Sequence, residues 1–375
     1  MKIVAFIVNG DFESAMGYRA RALASCLQTR YDIRIAYREG NKLIALLRFV
    51  RFLYGVRPQL SYVFDMSYSG VLAAWLYKQF FGNRLIIDTG DAIYELARSV
   101  GNRGKVGLWL TRWLERFSLK AADAVVVRGT FHQQFLAERG YSVEVIQDGV
   151  EVQVFAPRSV DGLRKELGLD GVLTVGLIGS SVWSESLQMC YGWELVETLH
   201  LLKDAPVKGV VIGDGSGITH LKARCREYAI EDKILFLGYV PFAQLPEYLM
   251  LMDVCLSTQS NDLVGQVRTT GKLPLYLAAG RYVLASRVGE AALVLYEEML
   301  VAYEGVKDEL YPQKLADRIT LILEQPERLQ SGAMNVALAQ KHFAYPLLAG
   351  RLEEFIEATL KECGLPIAEC GLKSD

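Results

Sequence analysis

The chain has 375 residues, of which 51% are hydrophobic, 22% charged and 10% aromatic. This composition is typical of globular domains and excludes a disordered or low-complexity chain. At about 150 residues per domain, the length predicts two to three domains. The 41 Lys and Arg residues nearly balance the 43 Asp and Glu residues, so the net charge is −2. A dedicated nucleic-acid binder needs a strongly basic domain, and no nucleic-acid partner is therefore expected.

The mean hydropathy of +0.17 raises the question of membrane spans. The longest stretch without Asp, Glu, Lys or Arg is Gly171–Ser184, fourteen residues. A spanning helix needs about 20 apolar residues, so none is predicted. The apolar start of the chain is too short for a signal peptide and indicates a first strand. Six cysteines lack metal-ligand spacing, which predicts free thiols, a cytoplasmic location and no metal site.

Short apolar runs alternate with amphipathic segments along most of the chain. This pattern predicts parallel strands joined by helices that cover both faces of a sheet. Helix-period segments in the first half include Ala15–Arg30 and Val71–Phe81. The predicted strands of the first half are Ile3–Val8, Asp32–Tyr37, Leu60–Phe64, Leu85–Asp88, Ala124–Val127 and Val143–Ile146.

The pattern restarts after Val150, behind a break at Asp148–Pro157 that is punctuated by Gly and Pro. The predicted strands of the second half are Leu173–Ile178, Gly209–Ile212, Ile234–Leu237, Val254–Leu256 and Tyr282–Ala285. We therefore expect an α/β protein with two Rossmann-like domains, residues 1–152 and 153–344, facing across a cleft. A C-terminal helix within 345–375 would join the first domain. The cleft is the predicted active site, because open parallel sheets bind ligands at the carboxyl ends of their strands.

Polar residues and glycine precede one predicted helix of the second half, where Arg268, Thr270, Gly271 and Lys272 follow each other closely. Backbone N–H groups, hydroxyls and two cations at a helix start favour a diphosphate. Lysine in a first helical turn opposes the helix dipole, a cost that a bound anion would offset. The segment is thus predicted to bind a diphosphate, and an ordinary solvated loop is the alternative.

Other candidates follow predicted strands. Gly213 lies in a glycine-rich turn that either binds phosphate or serves only packing. Tyr239 and Val240 either approach a nucleotide base or form only a turn. Gly17 opens the helix after the first strand, in a loop that would face the cleft. Asp91 either orients a sugar hydroxyl, acts as a base, or caps a helix.

Several segments resemble the motifs of GT-B glycosyltransferases, specifically those of the family 4 type. The segments that match in order and spacing are Ala122–Val127, Ile146–Glu151 with Phe155 and Pro157, Gly213–Gly215, Phe236–Gly238, Met252–Val254 and Ala278–Ser286. The resemblance covers nearly the whole chain. It implies that the second domain binds a nucleoside-diphosphate sugar, with Ser181 and Gly213 among its donor-site residues. The first domain would bind a glycan, lipid-linked or small-molecule acceptor. Transfer would proceed with retention and without metal or other cofactor.

This chain departs from the family pattern at several positions. Val267 and Leu275 stand where the family usually has two glutamates, and a leucine cannot accept a hydrogen bond from ribose. The segment 179–194 lacks the usual Lys and Arg pair, so Arg268 and Lys272 are candidates to replace that charge. Gly90 stands where a histidine is often found.

The four histidines lie in helix-period segments and are interpreted as structural. No strong general base is therefore apparent, and a retaining transfer tolerates that, because the leaving phosphate accepts the acceptor proton. Two alternatives stay open: a non-catalytic nucleotide-sugar-binding subunit, which would explain the lost glutamates, and a sugar-nucleotide epimerase of the same architecture.

The segment Leu108–Lys120 carries Trp109, Trp113 and Phe117 beside a parallel row of Arg and Lys. A second basic and apolar segment lies between Asn41 and Gln59 and contains no acidic residue. Such segments suit an anionic membrane surface. The alternative is that the aromatic side chains pack in the core and the cations are solvated.

Overall fold

The computed structural model describes residues 1–101 and 103–361. Within them lie two six-stranded sheets, whose strand pairs are all parallel. The expected Cys363 and Cys370 thiols lie outside the described residues, as does the end of the predicted C-terminal helix. No helix in the described ranges has the length and apolar character needed to cross a membrane.

The first sheet has the strand order β2-β1-β3-β4-β5-β6. Its strands are β1 (Lys2–Val8), β2 (Tyr31–Tyr37), β3 (Leu60–Val63), β4 (Arg84–Thr89), β5 (Ala124–Val127) and β6 (Val143–Val145). Its helices are α1 (Ala15–Leu27), α2 (Lys42–Val56), α3 (Tyr68–Phe81), α4 (Ile93–Val100), α5 (Lys105–Ala121) and α6 (Thr130–Ala137). Ser14, Asn41 and Ser67 cap α1, α2 and α3, because each side-chain oxygen accepts a backbone N–H of the first turn.

The second sheet has the order β12-β11-β10-β7-β8-β9. Its strands are β7 (Leu173–Ile178), β8 (Val207–Ile212), β9 (Ile234–Gly238), β10 (Val254–Ser257), β11 (Tyr282–Ser286) and β12 (Leu300–Val301). The helices of this half are α7 (Asp161–Glu166), α8 (Trp193–Leu201), α9 (Ile218–Glu227), α10 (Leu245–Leu249), α11 (Leu263–Val267), α12 (Lys272–Ala278), α13 (Gly289–Val294), α14 (Tyr311–Glu324) and α15 (Asn335–Phe343). The last helix, α16 (Tyr345–Lys361), follows them and packs on the first half.

Helices cover the two faces of the first sheet unequally. On one face, α1 packs with α16, whose Leu348, Leu352 and Ile356 share a core with Phe6 of β1. On the other face, α2, α3 and the end of α5 pack on alternate residues of the same strands. The chain therefore returns to the first sheet at its end, crossing beside residue 150, where the Val150 N–H donates to the Phe343 carbonyl at 2.8 Å.

The eleven strands predicted from sequence are all present, with ends shifted by at most two residues. The missed strand, Leu300–Val301, has two residues and is too short to show a pattern. The first predicted helix ends at Leu27, three residues early. The helix predicted from Val71 begins at Tyr68, because Ser67 provides its cap.

Candidate active site

The strand order of each sheet reverses at one place. In the first sheet this switch point lies between β1 and β3, and in the second it lies between β7 and β10. Ligands of open α/β sheets bind outside the carboxyl ends of the strands at such points. A ligand site is therefore expected at the loops that follow β1, β3, β4, β7 and β10.

A buried charge cluster lies at the carboxyl edge of the first sheet. Asp88, at the end of β4, is 0% exposed and accepts from Tyr62 Oη at 2.8 Å, Arg19 Nη2 at 3.1 Å and Arg128 Nε at 3.2 Å. Burial alone would raise the pKa of this carboxyl, but the Arg19 and Arg128 guanidinium groups hold it below its usual value. Asp88 is therefore a fixed anion that anchors two arginines below the cleft.

Arg128, directly after β5, extends this cluster toward the cleft. Its guanidinium lies 3.1 Å from Asp65 and 3.7 Å from Asp148. A Cβ added at Gly90 would lie 2.7 Å from Arg128 Nη1, closer than such atoms approach in proteins. The Arg128 side chain therefore occupies the space that a side chain at position 90 would need.

Contacts across the cleft join the two halves. Arg268 Nε lies 3.1 Å from Asp91 Oδ1, and Thr269 Oγ1 donates to the Arg128 carbonyl at 2.6 Å. The Glu290 carboxylate accepts from the Thr130 N–H at 2.9 Å and from Gln147 Nε2 at 3.0 Å. The Asp91 oxygen receives no well-aligned hydrogen bond, so its contact with Arg268 is a simple ion pair that a competing anion can exchange.

Lys272 lies at the switch point of the second sheet. Its ammonium stands 3.3 Å from the centroid of the Tyr191 ring and 3.7 Å from where a Cβ at Gly179 would be. Burial and the nearby Arg268 lower its pKa well below the usual lysine value. Within the described residues this ammonium has neither a carboxylate partner nor a hydrogen-bond acceptor. A half-buried ammonium without a counterion is unfavourable by itself, and a bound anion would offset that cost.

The Glu194 carboxyl is buried at the start of α8, near Lys272 but without direct contact. Burial raises its pKa to about 7, although the hydrogen bond from Tyr303 Oη, at 3.3 Å, and the charge of Lys272 oppose that shift. This group is therefore partly neutral near physiological pH and does not neutralise Lys272 fully.

The glycine-rich turns of the second half pack against each other. A Cβ at Gly213, where φ is +130°, would lie 2.0 Å from the Gly179 carbonyl oxygen. Only glycine fits there. Gly213 therefore has a role in packing, and its binding of phosphate stays a prediction. Ser181 is 0% exposed, and its Oγ donates to the Tyr191 carbonyl at 2.8 Å. The hydroxyl hydrogen of Ser181 is therefore engaged within the second half, and its contact with the donor stays a prediction.

Gly17 has a structural role in the loop before α1, and its place at the reaction centre stays a prediction. It is buried, its N–H donates to Ser14 Oγ at 3.0 Å, and a Cβ there would lie 2.3 Å from the Asp11 carbonyl oxygen. The loop before α1 therefore needs glycine to fold back on itself. The residues just after it, Tyr18 and Arg19, are the ones that approach the cleft.

The remaining predicted residues lie at the rim. Gly271 is exposed and Thr270 is half-buried, directly before the seven residues of α12. Tyr239 is 71% exposed after β9, whereas Val240 packs against the core of the second half. Phe242 of the same loop reaches the first half, where its ring lies 4.1 Å from that of Tyr18.

A cavity of 240 Å³ opens at the switch point of the first sheet. Polar residues from several loops line it: Asn9, Arg38, Lys42, Ser67, Thr89 and Asp91. Asp65 and Met66, on its wall, both adopt left-handed backbone angles, with φ of 55° and 42°. Such strain in non-glycine residues is concentrated at functional sites. A second cavity, of 440 Å³, lies farther out between α4 and the second half.

The histidines lie away from these groups or are engaged elsewhere. Burial and the charge of Arg128 lower the pKa of His132 to about 4, and His220 stacks on Trp183 at 3.8 Å. His200 stacks on Tyr228 at 3.7 Å. No cluster of three His, Cys, Asp or Glu side chains suitable for a metal ion occurs in residues 1–101 and 103–361.

No protein-family model matches the chain. An α-monoglucosyldiacylglycerol synthase from Streptococcus pneumoniae is 26% identical over 246 residues, covering 62% of this chain and 53% of that protein. A 2-deoxystreptamine glucosyltransferase from Streptomyces kanamyceticus is 27% identical over 187 residues, 47% of this chain and 46% of that protein. The chain thus spans about half the length of the curated relatives it matches.

Solved structures match nearly the whole chain. Sucrose-phosphate synthase from Thermosynechococcus elongatus has a TM-score of 0.75 at 16% identity, covering 96% of this chain and all of that one (100%). HepE from Anabaena in complex with UDP has a TM-score of 0.72 at 16% identity, with the same coverage of 96% and 100%. The chain has the GT-B fold. The expected fold class of two Rossmann-like sheets facing across a cleft is confirmed.

In this GT-B fold, several residues of the cleft were missed from sequence. Arg19, Arg128, Glu194 and Glu290 have no motif that marks them. The available signal was a charged residue directly after an apolar strand, which describes Arg128 after β5. Buried arginines on helices, such as Arg19, give no local signal, because their partners come from distant strands.

Proposed function

We propose that this protein is a glycosyltransferase of the family 4 type that transfers a sugar from a nucleoside diphosphate to an acceptor held in the first half. The observation that carries the proposal is the Lys272 ammonium, which is half-buried at the switch point of the second sheet and has no counterion among residues 1–101 and 103–361. The two curated relatives support the sugar chemistry, because their names describe a glucosyl-lipid synthase and a glucosyltransferase. HepE was solved with UDP and with UDP-glucose, which makes UDP-glucose the first donor to test.

The donor diphosphate would bind between Lys272 and Arg268. Leaving a cation unpaired in a half-buried place is unfavourable, and an incoming diphosphate removes that cost. Arg268 would exchange its ion pair with Asp91 for a bidentate contact with phosphate oxygens. These two cations would do the work of the basic pair that the segment 179–194 lacks.

The acceptor would bind in the 240 Å³ cavity of the first half. Its wall offers hydroxyl, amide and carboxylate groups, which suit the hydroxyls of a sugar or a similar polar group. When Arg268 turns to the diphosphate, Asp91 is released and can accept a hydrogen bond from the acceptor hydroxyl. Donor binding would thus prepare the acceptor side.

Retention is the stereochemical course that these groups support. Among the residues that the structure describes, no histidine lines the acceptor cavity, and its carboxylates, Asp65 and Asp91, each lie within ion-pair distance of an arginine. In a retaining transfer, the bond between the sugar anomeric carbon and the diphosphate oxygen breaks, and the acceptor oxygen bonds to the same face. The acceptor proton passes to the departing diphosphate oxygen. Arg268 and Lys272 would stabilise the charge on that leaving group in place of a metal ion.

Calorimetry with UDP and UDP-glucose tests the donor site. Lys272→Met and Arg268→Gln keep most of the side-chain volume and remove the charge. We expect each to weaken binding about tenfold or more, because hydrogen bonds to charged groups contribute about 1.5–3 kcal/mol. Lys222→Met is the matched control, since Lys222 also stands over a ring, that of Phe236, at 5.4 Å, but outside the cleft. Unchanged affinity in both site variants would overturn the diphosphate assignment.

Turnover separates the proposal from its alternatives. A non-catalytic subunit would bind UDP-glucose without consuming it in the presence of any acceptor. An epimerase would convert the donor into another UDP-sugar without an acceptor and without releasing UDP in stoichiometric amounts. Acceptor-dependent UDP release that is lost in Lys272→Met supports glycosyl transfer.

We also propose a cytoplasmic location. The support is the state of the cysteines: Cys26, Cys190, Cys225 and Cys255 are free thiols, and the last three are buried. Free thiols are typical of reducing compartments. The expected contact with a membrane depends on helices that lie outside this cleft.

A further inference from the structure

The outer surface of the α2, α3 and α5 layer exposes many large apolar side chains. These helices cover one face of the first sheet, with α3 between the other two. The exposed side chains are Leu43, Ile44, Leu47 and Tyr54 of α2, Phe80 and Phe81 of α3, and Val106, Trp109, Leu110 and Trp113 of α5. Single exposed apolar residues are common in proteins, but a group of this size on one layer indicates a binding surface.

Helix α2 carries apolar side chains on both its inner and its outer side. Its inner side, with Ala45, Phe49 and Leu53, packs on the sheet. Leu43 and Leu47, four residues apart, lie on the opposite side and are largely exposed. The outer side of a helix in a water-soluble layer is normally polar, so these leucines indicate a surface that is not always in water.

Helix α5 carries the clearest part of the surface. Trp109 is 66% exposed and Trp113 is 51% exposed, while Thr111, Ser118 and Ala121 face inward. The alternative that the aromatic row packs in the core is therefore wrong for both tryptophans. It holds for Phe117, whose ring lies 5.4 Å from that of Trp75.

Positive charge accompanies these apolar groups. Arg112, Arg116 and Lys120 are exposed on α5 beside the tryptophans, and Arg51 is exposed on α2. Within the described ranges, none of these four cations has a carboxylate partner. The one acidic residue of α5, Glu115, is turned inward and accepts the Tyr94 N–H at 3.2 Å. The surface therefore has a net positive field with little negative charge of its own.

We propose that the outer face of α2 and α5 docks onto an anionic lipid bilayer, with the tryptophans and leucines at the headgroup boundary and the arginines and lysines against lipid phosphates. Tryptophan and leucine beside a row of cations is the composition of interfacial helices. An acidic protein partner explains the cations but leaves the exposed tryptophans and leucines facing a charged surface. An anionic bilayer accommodates both the apolar side chains and the cations. This docking does not depend on the proposed glycosyl transfer.

Co-sedimentation of the whole protein with vesicles tests the proposal. We expect binding to vesicles of phosphatidylcholine with about one third phosphatidylglycerol, and much weaker binding to phosphatidylcholine alone. Raising the salt concentration should weaken the binding, since exposed charges are screened. Absence of binding to the anionic vesicles, or equal binding to both kinds, would overturn the proposal.

Two sets of variants locate the surface. Trp109→Ser with Trp113→Ser removes the apolar anchors, and Arg112→Gln with Arg116→Gln removes charge. Each pair should weaken vesicle binding about tenfold or more. Leu293→Ser with Leu310→Ser is the matched control, because both leucines are about as exposed but lie in the second half. Equal loss in the control pair, or no loss in the two test pairs, contradicts the assignment.

UDP binding by calorimetry accompanies each variant. All of these positions lie outside the predicted donor site, so UDP affinity should be unchanged. Retained UDP affinity shows that the variants are folded, and it keeps a failure of the docking surface distinct from a failure of the proposed function. A dimer in solution that buries Trp109 and Trp113, detected by sedimentation velocity, would replace the bilayer by a second copy of the chain and overturn the proposal.

Discussion

Replacing Arg19 by methionine should remove much of the stability of the first half. The Arg19 side chain is buried and places Nη2 3.1 Å from Asp88 Oδ2 and 2.7 Å from the Ile146 carbonyl oxygen. Breaking a buried ion pair by removing one partner costs about 3–5 kcal/mol. Each carbonyl left without a donor costs about 1 kcal/mol more. We therefore expect a loss of about 4–6 kcal/mol, which is comparable to the whole stability of a typical protein.

Equilibrium unfolding in urea measures this loss, and a double-mutant cycle tests its cause. Asp88→Asn removes the charge that Arg19 neutralises, so Arg19→Met should cost markedly less in the Asp88→Asn background. The coupling free energy should be about 1–3 kcal/mol. Arg34→Met is the control, because Arg34 pairs with Asp32 at 2.8 Å on the surface, where such pairs contribute little.

The acid side of the stability curve gives a second check. The pKa of Asp88 is lowered in the folded protein, so its contribution is present above the ordinary carboxyl pKa and is lost as the pH falls through the lowered value. In Arg19→Met that lowering is smaller, so less stability is lost on acidification and the loss is complete at a higher pH. A destabilisation below about 1 kcal/mol, or additive effects in the cycle, would refute the view that Arg19 neutralises a buried anion.

Further outcomes follow from other buried groups. Because burial lowers the pKa of His132 from 6.5 to about 4, stability should fall as the pH drops through that interval, and His132→Gln should flatten the fall in urea midpoints. Burial raises the pKa of Glu194 from 4.5 to about 7, so its ionisation costs stability as the pH rises through that range, and Glu194→Gln should gain stability relative to wild type at pH values above 7; no gain contradicts this. The lowered pKa of Lys272 predicts that UDP affinity in calorimetry decreases with rising pH, and this trend should be absent in Lys272→Met. Gly90→Ala should lower the melting temperature, at a cost of about 1–3 kcal/mol, because its Cβ meets the guanidinium of Arg128; an unchanged melting temperature would show that this arginine moves aside freely.

Much of the fold was predictable because strand signals are local. Each buried parallel strand is a short apolar run, and eleven such runs mark eleven strands within two residues. Their alternation with amphipathic segments predicts two covered parallel sheets. Helix ends were less predictable, since a cap such as Ser67 competes with several neighbouring polar residues.

The candidate site was predictable only in part. Arg268, Lys272 and Asp91 were chosen because each follows a strand or opens a helix, and the structure places all three at the cleft. The pairing of Arg268 with Asp91 was not expected, because the two residues come from different halves. Ser181, Gly213 and Gly17 were chosen because they also follow strands. In the structure the Ser181 hydroxyl donates to the Tyr191 carbonyl, and both glycines lie where two loop segments pack closely.

The sequence by itself determined the two parallel sheets, their cleft and the place of the two cations, because these follow from patterns within about 15 residues. Only the tertiary structure decided how charges are neutralised. Arg19 and Asp88 lie 69 positions apart and meet through the packing of α1 on the sheet. The tertiary structure also decided that Trp109 and Trp113 face outward. The residue pattern of α5 alone does not show which side of the helix the sheet covers.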